Sequence, residues 1–335
     1  MKESIKIADL SHLSHQVAKA AREFVDLKFR IDTEGRMSPV NIPGDLHGSE
    51  SNGEWGPFFG KDFFTSIIPF LPRVRSPAEN MAVPVAHTLG CSWRLWPDPD
   101  ISITEKEEVI SYINSEHGIQ DTDYFHVPEL GLFFSGEGKN RVNFCRYHNI
   151  EHIPARVSVG LYPDADKIMI YVLEIAGGSD VWAVLDNRYV QKVSHYAYAL
   201  PLLRAYGVAV LHEWPKDLPT LNELLQHTRY CSDDSHFHRK VIDIRAVREV
   251  LDKAAEKKLM GGQYVRCRLI DLPLRKKYVY LAWVTVALMV AVIVWLCFRE
   301  SVIGGFLLAI LAFISGIFAA MTVPILQIRN KYLDD

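Results

Sequence analysis

The chain has 335 residues, of which 49% are apolar, and its formal net charge is −3 at pH 7. Dedicated nucleic-acid binders usually carry a clear basic excess, so this charge balance argues against that class of protein. The five cysteines are scattered and form no Cys-x-x-Cys pair. They therefore argue against a disulfide framework and fit a reducing compartment.

The N-terminal part of the sequence predicts one helix followed by a long unassigned stretch. Residues 5–28 have the spacing of an amphipathic helix, and the first residues contain no apolar leader, so no signal peptide is expected. Residues 35–100 are rich in proline and glycine and show little periodicity. No element is assigned to them from the sequence.

From residue 102 onward the sequence predicts a mixed α/β fold. Thr104–Glu107 reads as a capping box that opens a helix, which Gly118 would end. A strand hairpin follows, made of Tyr124–Val127 and Leu132–Ser135 around a Pro-Glu-Leu-Gly turn. The next predicted elements are a helix over 140–149, a strand over Ile153–Val157, strands over 167–176 and 181–186, a helix over 194–206 closed by Gly207, a strand over Val208–Leu211, and helices over 218–228 and 241–260.

The order of hairpin, helix and strand occurs twice in this region. An internal duplication is therefore an alternative to two unrelated segments. The predicted domain organisation is an N-terminal helix and loop-rich segment (1–100), an α/β region with a helical extension (101–265), a basic linker (266–277) and two apolar spans (278–298 and 302–326).

The two apolar spans predict a transmembrane hairpin. Tyr278–Phe298 and Val302–Leu326 contain no charged residue, and each is long enough to cross a hydrocarbon core of roughly 30 Å as a helix. The basic flank Arg275, Lys276 and Lys277 predicts, by the positive-inside rule, a cytoplasmic N-terminal region and a location in a bacterial inner membrane. The lipid bilayer would then be a partner, with anionic headgroups at this basic flank.

The spans have the composition of an anchor. They contain no ionisable side chain of the kind that transporters and proton channels use. The second span has small residues at helical spacing, which allow packing against the first span or homo-oligomerisation. These residues are Gly305, Ala309, Ala312, Gly316 and Ala320.

A His-x-x-Glu-His string at His148, Glu151 and His152 would indicate a zinc peptidase if both histidines lay on one helix. Pro154 follows closely and restricts Ile153 to extended geometry. The helix therefore ends near 149–151, and the two histidines point in unrelated directions. No metal site is predicted.

The turn just before the 140–149 helix predicts an anion site instead. Gly138 allows close backbone approach, and the first N–H groups of the helix point outward without partners. Lys139, Asn140 and Arg141 supply positive charge and donors, and Arg141 can bind a phosphate through two hydrogen bonds. Glu137 beside them is the candidate catalytic residue, able to orient a metal or a hydroxyl.

The segment 104–158 resembles the ParB N-terminal / sulfiredoxin-like superfamily. The shared features are a helix ending in glycine (VISYINSEHGI), a hairpin, a G-x-x-R turn and helix (EGKNRVNFCR), and a strand that begins Ile-Pro (HNIEHIPARV). The resemblance implies that Gly138, Lys139, Asn140 and Arg141 bind a nucleoside triphosphate, CTP or ATP, with Mg²⁺. It also associates the chain with bacterial plasmids or mobile elements.

The sequence departs from the family in ways that narrow its chemistry. Sulfiredoxins have their catalytic cysteine where this chain has Lys139, and partition proteins have a second arginine where it has Asn140. Residues 160–260 contain neither the second nucleotide motif nor the helix-turn-helix of partition proteins. Two alternatives stay open: a membrane-tethered scaffold with a degenerate fold, and a DNA-acting or nuclease protein of plasmid maintenance.

Overall fold

The computed structural model describes residues 5–51, 54–71, 73–74, 76–91, 100–175, 177–231, 241–262, 264–267 and 326–329, together with a few positions between 285 and 313. The chain divides into two compact units, residues 1–247 and 248–335. Within the described residues, the helices are α1 (His15–Met37), α2 (Gly60–Ile67), α3 (Ile103–Ile113), α4 (Glu116–Gln120), α5 (Lys139–Tyr147), α6 (Tyr196–Tyr206), α7 (Leu221–Gln226) and α8 (Ile244–Gly262).

The strands of the first unit form two mixed sheets and a small ribbon. They are β1 (Lys6–Ile7), β2 (Gly48–Ser51), β3 (Glu54–Gly56), β4 (Arg73–Val74), β5 (Glu79–Pro84), β6 (Thr88–Leu89), β7 (Tyr124–Val127), β8 (Leu132–Ser135), β9 (His152–Leu161), β10 (Ile168–Ile175), β11 (Gly178–Leu185), β12 (Tyr189–Lys192), β13 (Ala209–Leu211) and β14 (Ile242–Asp243). In the second unit, β15 (Tyr264–Cys267) pairs with β16 (Leu326–Arg329).

The first sheet has the strand order β1-β5-β9-β7-β8-β6, and β4 pairs with the end of β9. The second sheet has the order β13-β10-β11-β12-β14, and β2 and β3 form the ribbon. The predicted hairpin is confirmed as the antiparallel pair β7–β8, and α5 and β9 follow it as expected. The mixed α/β character predicted for this region is therefore confirmed.

One connection occurs twice in the first unit. An antiparallel hairpin (β7–β8) leads through α5 to β9, which lies parallel to β7. The hairpin β10–β11 leads through β12 and α6 to β13, which lies parallel to β10. The repeated element order seen in the sequence is thus also a repeated topology. Each instance is called here a ββαβ unit, and the second one has an additional strand, β12, between its hairpin and its helix.

The first sheet is covered on both faces because its strands alternate in side-chain direction. Phe134 packs with residues of α1 and α2 in a core that also includes the second sheet, whereas Phe133 packs with residues of α3 and α5. Helices α2 and α5 therefore lie on opposite faces of this sheet. Their N-terminal ends both lie near the end of β6.

Two predicted helix starts were wrong. The helix expected from residue 5 begins at His15, where the Ser14 side chain caps it, because Lys6–Ile7 pair as a strand with β5. The capping residue of α3 is Ser102 rather than Thr104. Local signals predicted that both helices exist. The start of α1 is set by the pairing of β1 with β5, and the start of α3 is set by Ser102.

The predicted transmembrane hairpin was also wrong. The spans 278–298 and 302–326 fall almost wholly outside the described residues, and within the described part of the chain no helix is both long and apolar enough to cross a membrane. Leu326, which was expected to end the second span, is the first residue of strand β16. The two-span inner-membrane location predicted from this hairpin is therefore not supported. The basic flank 275–277 and the small-residue stripe 305–320 lie outside the described residues.

Candidate functional site

The glycine turn between β8 and α5 (residues 136–138) has a conformation that requires glycine. Gly138 is the N-cap of α5 with φ of 78°, and no side chain caps the helix at this position. A Cβ on Gly138 would lie 2.9 Å from the Thr122 Cγ2 atom. The left-handed φ and the close approach together exclude larger side chains.

Backbone and hydroxyl contacts hold this turn in place. The Tyr124 hydroxyl donates a hydrogen bond to the Gly138 carbonyl at 3.1 Å. The Gly136 N–H donates to the Asp123 carbonyl at 2.8 Å, and the Asp123 N–H donates to the Glu137 carbonyl at 3.3 Å. The start of α5 is therefore fixed to the start of β7 by contacts within the protein.

Lys139, the first residue of α5, lies over an aromatic ring beside the turn. Its Nζ atom is 4.7 Å from the centre of the Phe59 ring and 4.0 Å from a carboxylate oxygen of Glu137. The Lys139 side chain is 18% exposed, whereas that of Glu137 is 76% exposed. An ion pair with one partner this exposed contributes little to stability. The Lys139 ammonium group could therefore exchange Glu137 for an anion that binds it more tightly.

Arg141 makes contacts within the protein. Its guanidinium donates a hydrogen bond to the Gly118 carbonyl and lies 5.2 Å from the centre of the Tyr112 ring. These contacts tie α5 to α3 and α4. Asn140 is an exposed residue in the first turn of α5. The structure therefore brings Gly138, Lys139 and Glu137 together at the turn, and it directs Arg141 toward Gly118 in α4.

A second helix begins close to the first. Helix α2 starts at Gly60 after Phe59, which makes no side-chain capping hydrogen bond. A Cβ on Gly60 would lie 2.6 Å from the Leu89 carbonyl oxygen, and the Cys91 N–H donates to the Lys139 carbonyl at 3.4 Å. Residues 89–91 at the end of β6 thus lie between the N-terminal ends of α2 and α5. Uncapped helix N-termini carry partial positive charge and favour anions.

An ion pair of α1 is buried next to these residues. Lys28 and Asp32 are 1% and 4% exposed, and the Lys28 ammonium bonds to Oδ2 of Asp32. The Lys28 Nζ atom also lies 5.5 Å from the centre of the Phe63 ring in α2. Oδ1 of Asp32 has no hydrogen-bond partner among the described residues. Burial raises the pKa of Asp32, and the charges of Lys28 and Arg36 oppose that rise.

The Lys28–Asp32 pair and Lys139 both lie close enough to the thiol of Cys91 for their charges to act on it. Burial raises the pKa of Cys91 to about 11, and the charges that act on the thiol are those of Lys28, Asp32, Lys139 and Arg36. The thiol is therefore protonated at neutral pH and is a poor nucleophile. We call Lys28, Asp32, Arg36, Cys91 and Lys139 the charged cluster.

The sequence contains a signal for the buried Lys28–Asp32 pair of this cluster. The buried face of α1 includes Val17, Ala21, Phe24 and Val25, and the same stripe continues through Lys28, Ile31 and Asp32. A lysine and an aspartate one turn apart at core positions of an amphipathic helix indicate a buried ion pair. The helix predicted from the sequence ends at residue 28 and does not reach Asp32, so it contains only one member of the ion pair.

The His-x-x-Glu-His string does not lie on one helix. His148 is the C-cap of α5 and His152 is the first residue of β9, so the predicted end of the helix before His152 is confirmed. Among the described residues, no group of three His, Cys, Asp or Glu side chains is placed to hold a metal ion.

Comparison of the chain with protein-family models, with curated proteins and with solved structures gives no match.

Proposed function

We propose that the protein binds a phosphate-bearing nucleotide, CTP or ATP with its Mg²⁺, at the glycine turn between β8 and α5. The observation that carries this proposal is the position of Lys139 at an uncapped helix N-terminus, directly after a glycine in the left-handed region. The nearby start of α2 and the cation Arg36 add positive potential beside the turn, whereas the charge of Lys28 is balanced by Asp32. A phosphate group matches this combination of backbone donors and charge.

The residues of the turn have different roles in this proposal. Lys139 would exchange the exposed carboxylate of Glu137 for a phosphate oxygen, and the Glu137 carboxylate would then be available to hold Mg²⁺. Arg141 holds the first turn of α5 in position through its hydrogen bond to the Gly118 carbonyl. The resemblance to the ParB N-terminal / sulfiredoxin-like superfamily agrees with a nucleotide at this turn.

Isothermal titration calorimetry of the full chain tests the proposal, with CTP, ATP, ADP and GTP in the presence of Mg²⁺ and with inorganic pyrophosphate. The Lys139→Ala variant should bind at least about tenfold more weakly, because a charged hydrogen bond of about 1.5–3 kcal/mol is lost. Lys167→Ala is the matched control, since Lys167 is an exposed lysine that pairs with Asp164 beside the second sheet. Wild-type protein that binds none of these ligands would refute the proposal.

A further inference from the structure

We infer that His87 is a pH-sensitive latch between helix α1 and the turn that joins β7 to β8, and that its protonation loosens the attachment of residues 8–22 to this turn. The turn (residues 128–131) precedes β8, whereas the glycine turn of the proposed nucleotide site follows it. The inference therefore does not depend on the proposed function. It rests on the two hydrogen bonds of one buried imidazole.

His87 connects α1 to the turn through both of its ring nitrogens. The residue is 6% exposed and directly precedes β6. Its Nδ1 atom lies 2.8 Å from the Gly131 carbonyl oxygen, and its Nε2 atom lies 3.5 Å from a guanidinium nitrogen of Arg22 in α1. A carbonyl only accepts a hydrogen bond, and a guanidinium only donates one. In this arrangement the imidazole is therefore neutral, with its proton on Nδ1 and its lone pair on Nε2.

Protonation of His87 is incompatible with the contact to Arg22. A proton on Nε2 removes the acceptor and places a second positive charge beside the guanidinium. Burial is the largest influence on the pKa of His87 and lowers it, the hydrogen bond to Gly131 raises it, and the charge of Arg22 lowers it further. An imidazole released to water has a pKa of about 6.5. The latch is therefore intact above about pH 6.5 and weakens as the pH falls below that value.

The segment before α1 packs directly on the same turn. The Nε2 atom of His12 lies 3.1 Å from the Pro128 carbonyl oxygen, and this bond survives protonation because the ring nitrogen is its donor. A Cβ on Gly131 would lie 2.3 Å from Cδ1 of Leu13, so this leucine covers the backbone of the turn. His87 thus supplies the contact whose bonding changes with pH, in the middle of a close joint between segment and turn.

The elements around His87 carry other titratable groups, which do not replace Arg22 in this role. These groups are His12 before α1, His126 on β7, Glu129 in the turn, Glu151 before β9, and Lys139, Arg141 and Arg146 on α5. Among the described residues, the charge that acts on His87 is that of Arg22. Burial lowers the pKa of His126 to about 4, so this histidine stays neutral in the closed protein between pH 7.5 and 5.5. The Glu129 carboxylate accepts a hydrogen bond from the Tyr162 N–H.

Hydrogen–deuterium exchange of the full chain at pH 7.5 and 5.5, read by mass spectrometry and corrected for the intrinsic exchange rate, tests this inference. In wild-type protein, peptides that cover residues 8–22 and 125–133 should lose about three- to tenfold in protection at pH 5.5. About tenfold is the limit for one group that titrates at about 6.5 in the open state. Peptides that cover β10 and β11 should keep their protection. In His87→Asn the loss should disappear, because the amide keeps a donor near the position of Nδ1 and does not titrate.

Further variants separate the latch from other effects of acid. Arg22→Met should reduce the loss of protection, because no cation then opposes protonation of His87, and Arg30→Met, which changes an exposed arginine of the same helix, should leave the loss unchanged. His126→Phe should also keep the loss in these peptides.

Equal protection of wild-type protein at both pH values overturns the inference. An undiminished loss in His87→Asn does the same, and Arg22→Met decides the question if that variant does not fold. A loss of the same size over β10 and β11 would show general destabilisation in acid and would also overturn the latch. These measurements need no ligand, so their failure leaves the proposed nucleotide site untouched.

Discussion

At the scale of single residues, Lys28 and Asp32 form a buried ion pair within an otherwise largely apolar part of the core. Both side chains lie on the face of α1 that packs against aromatic residues, including Phe63. Such a pair contributes little net stability, because desolvation offsets its attraction. Removing one partner is different, since it leaves a buried charge without compensation.

We therefore expect Lys28→Met to lower the free energy of unfolding by about 3 kcal/mol. The variant leaves the Asp32 carboxylate buried without its ion-pair partner, and it keeps most of the lysine volume. The double variant Lys28→Met/Asp32→Leu should recover most of the loss, because neither charge remains. Urea unfolding followed by circular dichroism measures both. A double variant that is less stable than the single one would contradict this account of the pair.

The buried imidazole of His126 should make the stability of the protein depend on pH. His126 stacks on Phe133 with ring centres 4.0 Å apart, and its Nε2 atom has no partner among the described residues. Burial lowers the pKa of His126 to about 4, with smaller contributions from His12 and His87. Arg22 approaches His87 from α1, which adds a further basic group on this side of His126.

The depressed pKa of His126 predicts a loss of stability in acid. The unfolded histidine, with a pKa of about 6.5, takes up a proton before the folded one does. This contribution is complete above about pH 6.5 and is lost as the pH falls toward 4, with a cost of about 2 kcal/mol at pH 5. His126→Phe keeps a ring against Phe133 and should flatten the decline between pH 7 and 5, as measured by urea unfolding. An unchanged slope in the variant would assign the decline to other groups.

At the scale of elements, the junction of β8 and α5 depends on Gly138. Its left-handed conformation and its approach to Thr122 set the point at which the helix begins. Gly177 provides a comparison, because it also has positive φ (95°) but has no atom within 4 Å of an added Cβ.

Gly177→Ala should cost about 1 kcal/mol of stability from backbone strain alone. Gly138→Ala should cost more, about 2–3 kcal/mol, because Thr122 must also move. Differential scanning calorimetry of the two variants measures the difference. Equal losses would show that the approach to Thr122 is relieved without cost.

Arg141 links three helices, and its contacts predict a structural effect. Arg141→Ala removes a charged hydrogen bond to the Gly118 carbonyl and the contact with the Tyr112 ring. We expect a loss of about 2 kcal/mol in unfolding free energy. Arg204→Ala, an exposed arginine in α6, should change stability by less than about 0.5 kcal/mol. Urea unfolding of both variants would separate the two cases.

At the scale of the whole molecule, the elements that could be predicted from the sequence are those whose ends are set by neighbouring residues in the chain. The hairpin β7–β8 and the helix α6 with its C-terminal Gly207 were found because a turn or a glycine ends each of them. The glycine turn was likewise found from its own residues. The pairing of β1 with β5 and the approach of α2 to the end of β6 were not predicted, because residues far apart in the chain make these contacts.

The same distinction applies to the site. Lys139 and Gly138 lie in one short motif, so the sequence indicated them together. Lys28 and Asp32 join them only through folding of α1 against the end of β6, which no motif records. The predicted transmembrane hairpin was wrong because apolar length alone does not determine which secondary structure a segment adopts, and Leu326 at the end of the second span belongs to strand β16.

The repeated ββαβ unit has a consequence for the order of folding. Within each unit the two hairpin strands are joined by a short turn, so the loop-closure entropy of the hairpin is small. Strand β5 pairs with β9, and β1 with β5, only across long segments of chain. Local contacts form faster than distant ones. In pulse-labelling hydrogen exchange during refolding, the amides of β10 and β11 should therefore become protected earlier than those of β5, and the two ββαβ units would act as the early scaffold on which the N-terminal strands assemble.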